Sequence, residues 1–286
     1  MKIGIGLPNV VRNTGGKRIV EWARAAEAAG FAGLATIGRV AYPGYEELMA
    51  LSAAAAVTDE VDLFTDILLG ATRSPVQLAK EAATLDQLSG GRFVLGLGSG
   101  GREDDFLASS VHFKHRGRRM DQAMEVMHAA WKGELVEGAL NPVTPRPTNG
   151  ESVPIIFGGS SDAALARMAK WSIGWTMGGG GPEQFVKAKE KVEAFWKMAG
   201  RQGRPELRAL SYFALGPEAD SAAEQSLGDY YGREGWAKDM WKGIPRTAED
   251  AKARTEAFAE AGVGELYFIP TASTLDQVEL LAKAVL

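Results

Sequence analysis

The chain has 286 residues, 45% of them hydrophobic, which suits two average domains or one α/β barrel of about 250 residues. Its net charge of −4 and pI near 5.6 give no electrostatic case for nucleic acid, and no apolar run approaches the ~20 residues needed to span a bilayer. Cysteine is absent, which excludes disulfides, thiolate metal sites and cysteine nucleophiles; with an amino terminus that runs straight into MKIGIGLP, the sequence reads as cytoplasmic.

Ile3 to Leu7 is a short apolar strand stopped by Pro8-Asn9. Ile19 to Ala29 is an amphipathic helix, with Ile19, Ala23 and Ala26 opposite Glu21, Arg24 and Glu27. Gly33 to Ile37 predicts a second strand, Tyr45 to Val57 an alanine-rich helix, and Val61 to Leu69 a third strand interrupted by Asp66. Ser74, Pro75 and Gln77 mark a helix start with a capping box, and Val76, Ala79, Ala83, Leu85 and Leu88 recur at helical spacing up to Gly90-Gly91. Phe93 to Leu97 is a continuous apolar run, the pattern of a strand covered on both faces in a parallel sheet. Gly98-Ser99-Gly100-Gly101 follows at its carboxyl end.

Arg102 to Gly117 is polar and irregular, and Arg118 to Trp131 is a helix with Met120, Met124, Met127 and Trp131 on one face. Gly133 to Val153 holds turns and prolines and reads as an inserted segment over the site, since long loops in compact domains are functional or disordered. Val153 to Phe157 is the fifth strand, followed by Gly158-Gly159-Ser160-Ser161 and a helix through Lys170. Ile173 to Met177 is the sixth, followed by four glycines from Gly178 to Gly181 and a helix from Pro182 to Ala199. Leu207 to Leu215 is the seventh, and Asp220 to Met240 an aromatic-rich helix. Thr247, with Asp250 at the third position, caps a helix that Gly262 ends; Glu265 to Ile269 is the eighth strand and Leu275 to Leu286 the closing helix.

Eight strands alternating with helices predict one domain over 1–286, a TIM (β/α)8 barrel with an insertion after strand four. A doubly wound open sheet is the rival; the even spacing and the final strand and helix favour closure. In such a barrel the loops after strands form the working face and those before strands govern stability. Arg92 precedes the fourth strand and reads as structural. The loops at Gly98, Gly158 and Gly178 all follow strands, where glycines let a flat ligand approach the backbone. Gly158 to Ser161 also opens a helix, and its amides and hydroxyls suit a phosphate. The competing reading is that these glycines only make tight turns and that Ser160 or Ser161 only caps. His128 reads as a packing residue, and His112 and His115 define no metal site.

The segments PVQLAKEAATLDQLSGGRFVLGLGSGG, GRRMDQAMEVMHAAW and PIIFGGSSDAALARMAKWSIGW, in this order, resemble the bacterial luciferase-like superfamily of flavin monooxygenases and deazaflavin (coenzyme F-420) oxidoreductases. The resemblance implies an isoalloxazine-type ring at the carboxyl ends of the strands, backed by a cis peptide at Asp66-Ile67. It implies that Ser99 and Gly100 line the ribityl and phosphate path with Asp105 hydrogen-bonding there, that Gly158, Gly159, Ser160 and Ser161 hold phosphate, and that Arg119 adds charge. The residues alone allow Asp66 as a solvated strand end and Arg119 as a solvated helix face. The sequence departs from the family after strand two, where Ala35 to Val40 lacks the histidine or aspartate of many relatives. It departs again after strand four, where Arg102 stands in place of a carboxylate and Glu103, Asp104 and Asp105 come later. No general acid or base is therefore assigned.

Tyr212, Phe213, Tyr230, Tyr231, Trp236 and Trp241 either roof a hydrophobic pocket or fill the core. The resemblance implies hydride transfer between coenzyme F-420 and a small organic substrate. The alternatives are an FMN-dependent monooxygenase, a non-catalytic flavin-binding barrel, and an unrelated barrel acting on a phosphorylated sugar. A homodimer is expected, with no nucleic-acid or membrane partner.

Overall fold

The computed structural model describes residues 1–232 and 240–286. The apolar runs form the staves of one closed parallel sheet: β1 (Lys2–Gly6), β2 (Gly33–Thr36), β3 (Asp62–Thr65), β4 (Leu68–Leu69), β5 (Phe93–Gly98), β6 (Ile155–Gly158), β7 (Gly174–Met177), β8 (Glu206–Phe213) and β9 (Glu265–Pro270). Neighbours run β3-β2-β1-β9-β8-β7-β6-β5-β4. β5 closes the ring by pairing at its start with β3, Leu63 opposite Phe93, and near its end with β4, Leu68 opposite Leu97. β3 and β4 are thus two pieces of one stave, broken at Asp66-Ile67. The result is an eight-stave TIM barrel, and the open sheet is excluded.

Around it lie α1 (Gly16–Ala28), α2 (Glu47–Ala55), α3 (Pro75–Leu88), α4 (Glu103–Ala108), α5 (Arg116–Trp131), α6 (Asp162–Trp171), α7 (Pro182–Met198), α8 (Ala219–Tyr231), α9 (Ala248–Ala261) and α10 (Asp276–Val285). The predicted faces are the buried ones. α1 turns Ile19, Trp22, Ala23 and Ala26 inward, and α5 turns Met120, Met124, Met127 and Trp131 inward. Each large side chain so buried contributes roughly 1.5–3 kcal/mol. The Trp131 indole N–H donates to the Ala79 carbonyl, so its one polar atom is satisfied in the core.

Four expectations change. The Ser74 side chain makes no capping hydrogen bond, so α3 starts on Pro75 without a capping box, whereas Thr247 and Asp250 form theirs on α9. Leu88 closes α3 and is 66% exposed, because the chain turns away at Ser89; the helix buries Leu78, Ala82 and Leu85 instead. α8 ends at Tyr231, where Gly232 takes φ of 102°; most of the helix predicted beyond it, with Trp236, lies outside the described residues. The segment 133–153 does not cover the working face. Thr148 donates through its amide and hydroxyl to the buried Asp86 carboxylate at 2.6 and 2.7 Å, Gln87 donates to the Arg146 carbonyl, and Arg146 donates to the Trp131 carbonyl. These bonds fasten the segment to the last turns of α3 and α5, where β5 begins. Arg92 works at the same end, donating to the carbonyls of Ser89, Thr58 and Val61, as its place before the strand predicts.

Candidate functional site

At the opposite end the break between β3 and β4 shapes the site. The Asp66-Ile67 peptide is cis, as the family resemblance implies. Thr65 is fastened to β5 by two hydrogen bonds with the Gly96 backbone at 2.9 Å, and the Asp66 amide donates to the Thr36 carbonyl at 2.7 Å. Asp66 is therefore held at the barrel mouth. It is no solvated strand end: only 4% of it is exposed. Its Oδ1 accepts from the Thr176 hydroxyl at 2.9 Å, and its Oδ2 has no hydrogen-bond partner among the described residues. Burial pushes this carboxyl up to about 7, against the lowering by the Thr176 hydrogen bond and the Arg208 charge.

Ile67 points between two of the predicted glycines. A Cβ at Gly98 would sit 2.2 Å from the Ile67 Cδ1, and one at Gly158 would sit 2.5 Å from it. These two glycines make room for the isoleucine, and both also border the cavities beside it. Gly178 and Gly179 have open space where a Cβ would go, so the loop after β7 keeps its backbone free for close approach.

Two cavities adjoin Ile67. The first, about 420 Å³, opens between Asp66, Trp175, Thr176, Tyr212, Tyr230 and Tyr231. The second, about 640 Å³, is bounded by Ser99, Gly100, Ser161, Lys114, Arg116 and Arg167. They share Ile67, Leu69, Gly101, Gly158 and Gly159 as a common wall. The first combines four aromatic side chains with Asp66, Asp105, Arg39 and Arg102; the second carries three cations and the amino end of α6. Ser161 caps that helix, its Oγ accepting from the Ala164 amide at 3.3 Å. Helix dipole and cations both favour an anion there.

The predicted residues divide between the two cavities. Asp66, Asp105 and Ser160 border the first, Ser99, Gly100 and Ser161 the second, and Ile67, Gly158 and Gly159 both. Asp105 borders the first cavity and not the cationic one. It is 1% exposed, and its oxygens accept from the Ala41 amide at 2.7 Å and the Arg39 Nε at 3.2 Å, which ties α4 to the loop after β2. Arg119 stands apart from both cavities, donating to the Ala71 carbonyl at 2.9 Å. Arg116, one helical turn earlier, borders the 640 Å³ cavity. His128 is the packing residue its place on the helix predicts: it stacks on Trp171 at 4.7 Å with its pKa lowered by burial, while His112 and His115 border neither cavity.

Sequence reasoning missed Trp175, Thr176, Arg39, Arg102 and the cations other than Arg119. Trp175 donates to the Gly159 carbonyl at 2.8 Å and so fixes the loop between the cavities. Arg102, where relatives carry a carboxylate, lies over the rings of Tyr230 and Tyr231 at 5.4 and 5.1 Å. The available signal was position: side chains at the carboxyl ends of barrel strands face the site.

Residues 1–278 match the family model for luciferase-like monooxygenases, and the chain belongs to that family. The family is one of oxidoreductases that work with a flavin-type cofactor, which removes the reading as an unrelated sugar-phosphate barrel. An uncharacterised protein of Mycobacterium tuberculosis is 31% identical over 218 residues, covering 66% of this chain and 75% of its own. The barrel superposes on an F-420-dependent secondary alcohol dehydrogenase in complex with an F-420–acetone adduct with a TM-score of 0.79 at 18% identity, covering 99% of this chain and 98% of that one. It superposes on the oxygenating constituent of 3,6-diketocamphane monooxygenase from Pseudomonas putida, in complex with FMN, with a TM-score of 0.76 at 15% identity, covering 100% and 97%.

Proposed function

We propose that the chain is a deazaflavin oxidoreductase that moves a hydride between coenzyme F-420 and a small organic substrate. When bound, the coenzyme supplies or accepts the hydride. The residues fit such a group. Ile67, Trp175, Tyr212 and Tyr231 offer apolar and aromatic walls for a flat ring, and Lys114, Arg116, Arg167 and the start of α6 receive a phosphate-bearing tail past the shared wall at Gly158-Gly159.

One observation carries the preference for hydride transfer, the half-partnered carboxyl of Asp66 in the ring cavity. Reducing a carbonyl needs a hydride at carbon and a proton at oxygen; oxidising an alcohol returns both. A carboxyl with a pKa of about 7 exchanges a proton near neutrality, which a general acid–base residue requires. The neighbours suit the task less well. The arginines stay charged, Asp105 has both oxygens engaged, and burial raises the pKa of Tyr212, Tyr230 and Tyr231. Asp66 thus takes the place of the histidine or aspartate that this chain lacks after β2.

Fluorescence titration of the purified protein with F-420 and with FMN tests the reading. Tight binding of F-420 together with hydride transfer that Asp66→Asn slows by 10²–10⁴-fold, a general acid–base contribution, is expected. Tight binding of FMN alone moves the reading to oxygen chemistry on the same site. Binding without turnover of any carbonyl or alcohol would favour the non-catalytic barrel.

A further inference from the structure

A third cavity of about 540 Å³ continues from the ring cavity on the side away from the phosphate end. It shares Gly178, Gly179, Leu210, Tyr212 and Tyr231 with the ring cavity and no wall residue with the 640 Å³ cavity. The three spaces therefore follow one another around the barrel mouth. A cofactor whose tail lies in the cationic space and whose ring lies in the middle leaves the third free.

The walls of this third space set Leu210, Met240 and Ile244 beside the glycine loop, with Gln184, Ser211, Tyr212 and Tyr231 as neutral polar groups. Among the described residues its lining holds one charged side chain, Arg254 on α9. The Arg254 Nη2 donates to the Gly243 carbonyl at 2.5 Å, and no carboxylate of the described residues pairs with it. Asp250, one turn earlier, is turned to the helix start, where its Oδ2 accepts from the amides of Arg246 and Thr247 at 3.2 and 3.1 Å. A half-buried guanidinium with one neutral partner keeps several donors unused, and a cation held out of water gains most from an anion. Burial lowers the pKa of Arg254, with Asp250 only partly opposing it, in keeping with a missing counter-charge.

We propose that the 540 Å³ cavity is the substrate site and that Arg254 receives an anionic group, a carboxylate or a phosphate ester, at the far end of an otherwise uncharged substrate. The assignment of substrate rather than ligand rests on the reading of the middle cavity as the ring site.

Calorimetric titration with charged and neutral counterparts tests this, on the protein alone and after loading with F-420 or FMN. The probes are octanoate against octanamide, 4-acetylbenzoate against 4-acetylbenzamide, and benzyl phosphate against benzyl alcohol. At least one anion is expected to bind ten-fold or more tighter than its neutral partner, and carboxylate against phosphate distinguishes the two sources of charge. Arg254→Met should abolish the preference, and Arg254→Lys should retain part of it. Equal binding of every pair, a preference that survives Arg254→Met, or no saturable binding by any anion would overturn the proposal. Failure to bind either coenzyme, with the Arg254-dependent preference intact, would remove the oxidoreductase reading and leave an anion-binding cavity. Coenzyme binding without the preference would remove only the role of Arg254.

Discussion

Asp66 is buried with one oxygen partnered and the other bare among the described residues, so its two protonation states differ in cost. Its carboxyl rises from the ordinary 3.8 to about 7 on folding. Between those values the folded chain binds a proton that the unfolded chain has released. Asp66 therefore favours folding below about pH 4 and loses that advantage steadily as pH climbs to about 7. From pH 5 to pH 8 the loss is roughly 2–3 kcal/mol by linkage. Asp66→Asn keeps the size and removes the titration. Urea denaturation of both proteins at pH 5 and pH 8 should show the wild type falling relative to the variant by about that amount. Parallel pH profiles would mean that the carboxyl titrates as an exposed one does and would take the proton-carrying role with it. At this scale the sequence said little. Asp66 was legible as the interruption of an apolar strand, but its partner Thr176 is 110 positions away and read only as strand interior. Arg116 and Arg119, three apart on a helix, look alike in a string, and only packing shows that Arg119 donates to the Ala71 carbonyl while Arg116 borders a cavity.

Between β4, β5 and β6 one side chain organises the elements. Ile67 fills the space that side chains at Gly98 and Gly158 would need, and the strand ends close up around it. Gly158→Ala would place a methyl 2.5 Å from the Ile67 Cδ1 and should destabilise by about 1–3 kcal/mol, the cost of overpacking. Ile67→Ala in the same chain should recover part of that loss. A double-mutant cycle by urea denaturation is expected to give a coupling of at least ~0.5 kcal/mol, and simple additivity would show that the isoleucine moves aside freely. The elements themselves were legible because strands buried on both faces are unbroken apolar runs, and helices over a sheet keep one apolar stripe. The loops were less so. The segment 133–153 carries no periodicity, and its anchors, Thr148 on Asp86 and Arg146 between Gln87 and Trp131, are contacts that spacing does not reveal. The shorter stretch after β5, with Arg102 and Asp105, proved to be the part beside the site.

Across the whole molecule the cations sort into those that face the mouth and those that brace the wall. Lys114 and Arg116 border the 640 Å³ cavity, where Arg167 is already committed to Asp121 at 2.5 Å and to the Gly117 carbonyl at 3.1 Å. Lys114 and Arg116 are thus the better placed to meet a phosphate. A charged hydrogen bond contributes about 1.5–3 kcal/mol, so Lys114→Ala or Arg116→Ala should weaken cofactor binding by roughly ten-fold or more, with a shallower dependence on salt. Arg119→Ala should do the reverse. It removes donors from the Ala71 carbonyl, which lowers stability, and leaves affinity nearly unchanged. The same titrations can be read as thermal shifts, since a ligand at a hundred times its Kd stabilises the folded state by about 2.7 kcal/mol. In that readout Arg119→Ala should start lower and rise as far as the wild type, whereas Lys114→Ala should start level with it, Arg116→Ala somewhat lower for the loss of its contacts with Phe113, and both should rise less at equal cofactor concentration. A cofactor affinity that falls with Arg119→Ala and holds with Arg116→Ala would place the tail on the other side of α5 and return the charge to the residue that the family resemblance first indicated.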